Sequence, residues 1–306
     1  MIMKSKYYLV LLLGVFSMAS CDTSLNLEAD PDLTITTEKK EYKVGEEVNF
    51  QLTGNPGIIT FYSGEIGNDY DYRDGRTLPA GDITVTMSTS VNYGVQPDQF
   101  SILVSTDFNG KYTIDDIKAA TWTDITNRFT LATNATYISG GQVNVSDLVV
   151  DGKPMYFCLR YIYDPTKGTG RTWAIRDFAV KSNTVLGLTT LATQTTAGFG
   201  LYYYGPKETT GRSGITSTTI TLRSNAAGNT ADYTEDWCVS SGMEVGSKDM
   251  GPDRPLNVKG YSDAHQDSYS YTYTTAGSYK ARFVATNATI KEARTVVKEV
   301  DLEIVP

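Results

Sequence analysis

The stretch YSYTYTTAGSYKARFVATN, residues 269–287, reads as one strand, a tight turn at Gly277 and a second strand. Tyr271 and Tyr273 recur two residues apart, and Ala281, Phe283 and Ala285 do the same beyond the turn. A period of two puts alternate side chains on one face of a pleated strand. The last run, EVDLEIV (299–305), repeats the pattern with Val300, Leu302 and Ile304 on one face and Asp301 and Glu303 on the other. One apolar and one polar face is what a half-solvated sheet needs, so this is half of a small sandwich. The residues just upstream, MGPDRPLNVKGYSDAHQD (250–267), are too loop-like to supply the other half.

That half lies near the start of the chain. In residues 33–65, Leu33 and Ile35 alternate with Thr, EYKVGEEV turns into a strand, and Val48, Phe50 and Leu52 face away from Asn49 and Gln51. Asn55-Pro56-Gly57 marks a turn, and IITFYS follows as a more fully buried strand. The VGEEVNF entry, with the later YTYTTAGSY, resembles a polycystic-kidney-disease-type (PKD) immunoglobulin-like domain. The reading is a domain split into residues 33–75 and 263–306, with 76–262 inserted. Insertion at an exposed loop costs little, because loop entropy grows slowly with length. An insert this long must then be a domain of its own.

The insert carries short strands such as DITVTM, QFSILVST, RFTLAT, MYFCLRYIY, TWAIRDFAV and STTITLRS, separated by turn clusters. KYTIDDIKAAT is the only credible helix. Many short strands spaced by turns indicate a sandwich or jelly roll. Their order resembles galactose-binding-like jelly rolls. The expected fold class is therefore all-β, an immunoglobulin/PKD-like sandwich interrupted by a jelly-roll sandwich.

The N-terminus reads as a targeting segment. Lys4 and Lys6 precede the apolar run YYLVLLLGVFSM, too short to span a bilayer, and MASC ends at Cys21. Small residues before a Cys resemble a lipobox, so residues 1–20 are expected to be removed and Cys21 lipidated, with 21–32 as a tether. Removing residues 1–20 takes away two Lys and no acid, so the formal charge of −8 becomes −10. Such a chain has no electrostatic footprint for nucleic acid, and anionic lipid would repel it, so membrane contact is expected through the lipid anchor alone. Asp22, Glu28 and Asp30 resemble, in scattered form, the acidic export signal of surface lipoproteins. Taken whole, the chain resembles a Bacteroidetes surface lipoprotein family of unknown function, of the glycan-uptake-locus type. The resemblance implies an outer-membrane protein facing the cell exterior, with outer-membrane glycan-uptake proteins as partners. It carries over no catalytic residue.

No catalytic constellation is visible. His265, the one histidine, lies in a Ser/Asp-rich loop, and no nucleophile elbow, zinc-type Cys spacing or phosphate-binding Gly loop is present. The expectation is a non-catalytic binder that requires no cofactor, with a glycoside hydrolase as the weaker alternative. Asp69, Asp71 and Asp74 in GNDYDYRDGR have oxygen ligands spaced for calcium, but an acidic turn that caps backbone N–H groups is the preferred reading. Cys158 and Cys238 are read as two separately buried thiols rather than a disulfide.

Aromatic residues are the stronger signal. FGLYYYG sets Tyr202, Tyr203 and Tyr204 in a row, and the insert also holds Trp122 and Trp173, the latter two residues from Arg171. Sugar rings stack their C–H faces on such planes. The expected ligand is a polysaccharide or oligosaccharide held by Trp173, Arg171, Tyr202, Tyr203, Tyr204 and Trp122, with Trp173 the best candidate for exposure and core packing the preferred reading of Trp122. The alternative is a structural role, as assembly partner of an outer-membrane uptake complex or as an adhesin.

Overall fold

The computed structural model describes residue 27 and residues 29–306. The signal segment, Cys21 and most of the expected tether lie outside the described residues.

The chain is almost entirely β. Its first passage holds β1 (Thr34–Thr37), β2 (Glu41–Lys43), β3 (Glu47–Thr53) and β4 (Ile58–Tyr62). The long middle passage holds β5 (Arg76–Leu78), β6 (Asp82–Asn92), β7 (Phe100–Ser105), helix α1 (Ile114–Ala119), β8 (Thr123–Asp124), β9 (Ile138–Asn144) and β10 (Tyr156–Tyr163). It continues through β11 (Thr172–Thr184), β12 (Gly187–Thr193), β13 (Gly200–Tyr204), β14 (Gly214–Ile215), β15 (Ile220–Arg223), β16 (Thr234–Val239) and β17 (Lys248–Gly251). The return holds β18 (Leu256–Lys259), β19 (Ser268–Thr272), β20 (Gly277–Ala288) and β21 (Ala293–Val305). These elements form two compact units. The split unit comprises the chain up to Arg76 and Met250–Pro306, and the insert unit is Thr77–Asp249.

The split unit is a sandwich of two sheets, ordered β1-β3-β19 and β18-β4-β20-β21-β2. Val48, Phe50 and Leu52 alternate with exposed residues along β3. They meet Phe61, Ala281, Phe283, Leu302 and Ile304 in one core. Phe50 lies 5.1 Å from Phe283, edge to face. Each such fully buried ring or aliphatic contributes about 1.5–3 kcal/mol over leaving it exposed.

The 269–287 stretch is not a hairpin. β19 pairs with β3, setting Tyr269 opposite Phe50 and Tyr271 opposite Val48, while β20 pairs with β4 and β21 in the other sheet. Residues 273–276 therefore arch between sheets, and Gly277 opens β20 rather than forming the turn. Tyr273 fills the arch completely buried, and its hydroxyl donates to the Ser63 carbonyl at 2.9 Å.

The far boundary of the insert also moves, from 262 to 249. The return strand β18 pairs with β4, with Leu256 opposite Phe61. It reads as loop because its pattern is inverted: Leu256 is exposed, whereas Lys259 is buried and donates its ammonium to the carbonyls of Pro56 and Gly57.

The insert unit is a larger two-sheet sandwich. One sheet runs β13-β16-β10-β7-β8, the other β14-β15-β11-β6-β9 with β12 on β11. Ile83, Val85, Ile102, Phe157, Leu159, Ile175 and Leu222 belong to the core between them. The outer face of the β10–β16 sheet carries a second cluster of Leu103, Cys158, Trp237 and Val239, closed by Phe108 and by Ile117 of α1. Thr113 starts α1 by accepting the Asp116 N–H, a side-chain cap on a free helix terminus.

Cys158 stands opposite Val239, and Leu159 opposite Cys238. The two cysteines therefore point to opposite faces of one sheet, and both are free and buried. No rotamer change can bring their sulfurs together.

Candidate functional site

The sandwich distributes the six expected sugar-binding residues over three places. Trp173 stands between Val91 of β6 and Leu222 of β15, and that register turns it inward. It is 8% exposed and stacked on Phe100 at 5.0 Å. The expectation of an exposed Trp173 is corrected: its ring is part of the core. Tyr203 stands opposite the buried Asp236, and burial raises its hydroxyl pKa.

Trp122, Tyr202 and Tyr204 do come together on the outer face of the β13–β16–β10 sheet, but against protein. Tyr202 stacks on Tyr112 at 5.6 Å, and Trp122 packs on Trp237 at 6.1 Å while donating Nε1–H to the Ile117 carbonyl. The Lys118 ammonium sits 3.5 Å over the Tyr204 ring and also donates to Glu235 at 2.9 Å. Burial pushes the Glu235 carboxyl up, but Lys118, the Trp237 Nε1–H and the Tyr233 hydroxyl hold it below the usual range. Trp122 and Tyr202 complete a secondary core under α1, whereas Tyr204 stays 45% exposed with Lys118 over its ring.

The acidic turn of the split unit spends its carboxylates separately. Asp69 caps the 3-10 turn Tyr70–Tyr72 by accepting the Asp71 N–H, and lies 3.6 Å from Arg76. Asp71 pairs with Arg282, and Asp74 projects into solvent beside Arg73. His265 is exposed and paired with Asp267 at 2.9 Å. Among the described residues, no three His, Cys, Asp or Glu side chains are grouped to hold a metal.

A cleft of about 610 Å³ opens at the loop end of the insert unit, lined by Tyr93, Thr169, Thr172, Arg212, Arg223 and Asn225 among others. Tyr93 is 75% exposed. Its φ is +57°, in the left-handed region that non-glycine residues rarely occupy, and Asn92 Oδ1 accepts its N–H at 2.8 Å. Gly94 follows at φ +50°, and a Cβ there would meet the Gly170 carbonyl oxygen at 2.3 Å. The 93–94 and 169–170 loops therefore touch through backbone, and only glycine fits the contact.

Buried amides hold this wall. Gln99 donates to the Tyr161 hydroxyl at 3.0 Å and the Ile162 carbonyl at 3.2 Å, and its Oε1 accepts the Arg171 N–H at 2.7 Å. The Tyr161 hydroxyl in turn donates to the Arg171 carbonyl at 2.8 Å. Arg171 thus anchors the loop by its main chain. On the other wall, Arg223 Nε donates to the Arg212 carbonyl at 2.9 Å, and Arg212 Nε donates to the Ser224 carbonyl at 2.8 Å. Lys207 and Asp236 form a fully buried pair at 2.8 Å, and Lys207 and Ser213 tie the Arg223 main chain to it. Burial lowers the Lys207 pKa and raises that of Asp236.

Sequence reading missed Tyr93, Arg212, Arg223 and Asn225. The available signal was an aromatic directly before glycine in SVNYGVQPDQ, and arginines inside the Gly/Ser/Asn-rich segments TTGRSG and TLRSNAAG.

The model of a family described as a domain of unknown function (DUF5017) matches residues 20–199, more than half of the chain, and the chain belongs to that family. No curated protein matches it.

Proposed function

We propose that this member of a family of unknown function is a lipoprotein of the outer membrane, anchored at Cys21 and exposed at the cell surface, that captures polysaccharide in the loop-end cleft of its insert unit. The observation that carries the reading is Tyr93. A large aromatic ring, three-quarters exposed, is held in a backbone conformation that costs on the order of 1–3 kcal/mol and contributes little to the core. Strain kept without a packing return is characteristic of ligand clamps. The ring offers a stacking plane, and Thr169, Thr172, Asn225 and the arginines offer hydrogen bonds beside it. Loops fixed on a rigid sandwich present such a site at low entropic cost.

The role proposed is binding rather than catalysis. Glycoside hydrolysis uses two carboxylates across the scissile bond, whereas the described lining of this cleft has none. One ring stacked on one sugar contributes about 0.5–1.5 kcal/mol, so useful retention requires several contacts along a polymer. Native gel electrophoresis through embedded polysaccharides tests the reading. Tyr93→Ala should be retarded clearly less than the parent protein in the same gel, with an unchanged melting temperature. Equal retardation of both would remove the cleft from the account.

The second reading, an assembly or adhesin role, is supported by one feature. Val185, Leu186 and Leu188 at the tip of the β11–β12 hairpin are each more than half exposed. A contiguous apolar tip suits contact with another protein.

The anchor has its own test. Among the described residues no helix is long and apolar enough to cross a membrane. Cys21→Ala is expected to move the protein from the membrane to the soluble fraction, and continued sedimentation with membranes would refute the lipobox reading.

A further inference from the structure

We infer that the ligand of the loop-end cleft is an anionic sugar, one bearing a carboxylate or a sulfate. The inference rests on the glycan-binding reading above and narrows its substrate class.

The protein is acidic, with a formal charge of −8, yet the cleft departs from that balance. Arg212 and Arg223 line it, and no Asp or Glu is among its described lining residues. Several other arginines are neutralised directly: Arg76 holds Asp253 at 2.8 Å, Arg128 holds Asp147 at 2.7 Å, and Arg282 holds Glu299 at 2.6 Å. Arg212 and Arg223 are instead oriented by main-chain carbonyls. Arg223 donates to the carbonyls of Arg212 and Gly211, and Arg212 to those of Ser224 and Asn225. Carbonyl dipoles fix a guanidinium without cancelling its charge. These bonds use Nε and one terminal nitrogen of each side chain, and the other nitrogen stays outside them.

The nearby charges do not remove the imbalance. Lys207 and Asp236 lie beneath and neutralise each other. Glu208 is the adjacent acid, and the Ala226 N–H and the Asn229 amide hold it. Its pKa is lowered first by the Ala226 N–H and less by Arg212. Two half-buried guanidiniums opposite an exposed ring therefore face the cleft with at most one carboxylate between them. Guanidinium is weakly hydrated and matches the geometry of carboxylate and sulfate, so it binds them more strongly than it binds a neutral hydroxyl. A neutral glycan would leave this charge unanswered.

The test uses the mature chain and polymer pairs that differ only in charge. Retardation in gels containing polygalacturonate is compared with its carboxyl-reduced polymer, and dextran sulfate with dextran. The expected result is retardation by at least one acidic polymer, with affinity for its neutral partner weaker by about tenfold or more. The two pairs distinguish carboxylate from sulfate. Arg212→Gln and Arg223→Gln should each lose about tenfold for the acidic polymer, with melting temperature recorded alongside. If either variant fails to fold, the polymer pairs decide alone. Equal binding to both members of each pair, binding to neutral polymers only, or acidic binding unchanged in folded Arg212→Gln and Arg223→Gln overturns the inference and leaves glycan binding standing. Retardation by no polysaccharide overturns both.

Discussion

Trp173 shows how one side chain's role depends on register rather than composition. In RTWAIRDF it stands beside a turn and an arginine, which suggested exposure, but pairing with Val91 and Leu222 turns it onto Phe100. Trp173→Ala should therefore lower insert-unit stability by about 3–5 kcal/mol, as buried aromatic deletions do, while the folded fraction binds polysaccharide as before. Denaturant unfolding followed by gel retention checks both halves. In the split unit, burial pushes the Asp253 carboxyl up, but Arg76 and the N–H groups of Asp69 and Gly67 outweigh this and hold it below the usual range. Since the folded value lies below the unfolded one, near 4, the stabilisation is complete above pH 4 and is lost as pH falls through the lowered folded value. Asp253→Asn should lose about 1.5–3 kcal/mol at pH 7, because it leaves the buried Arg76 guanidinium with only the more distant Asp69 carboxylate, at 3.6 Å. It should also flatten the acid limb of the stability profile, which unfolding midpoints at pH 7 and pH 3 would report.

Several elements with one wet face were legible, but RFTLAT (128–133), expected as a strand, forms none, and β9 falls on a Gly-rich stretch that reads as a turn. β3, β20 and the end of β21 bury the residues that their alternation assigns, with Val300 half-buried at the rim. The helix expected in KYTIDDIKAAT forms over Ile114–Ala119. β18 was illegible because a buried Lys259 and an exposed Leu256 invert the code. The arch at 273–276 was illegible because local sequence does not say whether successive strands share a sheet. The loop-end cleft was hidden for a related reason: Tyr93, Arg212 and Arg223 meet only after β6 and β15 flank β11. β10 and β16 give a direct check on strand faces. Burial raises the pKa of both thiols and shields them. A chain lacking residues 1–21 should yield two reactive thiols only after unfolding. Protection of both from alkylation in unfolded, non-reduced protein would indicate a disulfide and contradict the register.

At the scale of the whole chain, the insertion follows from two half-patterns that cannot each make a core alone. The strands of residues 33–65 need those of 268–305 as sheet partners, and the passage between has its own two sheets and core. A unit with its own core should fold by itself. The measurement that bears most directly on the central claim is made on residues 77–249 expressed alone, melted and then run through a polysaccharide-containing native gel beside the full mature chain. The account predicts a cooperative melt and retention equal to that of the full chain, clearly weakened by Tyr93→Ala. A cooperatively folded fragment that migrates freely in a gel that holds back the full chain would contradict it.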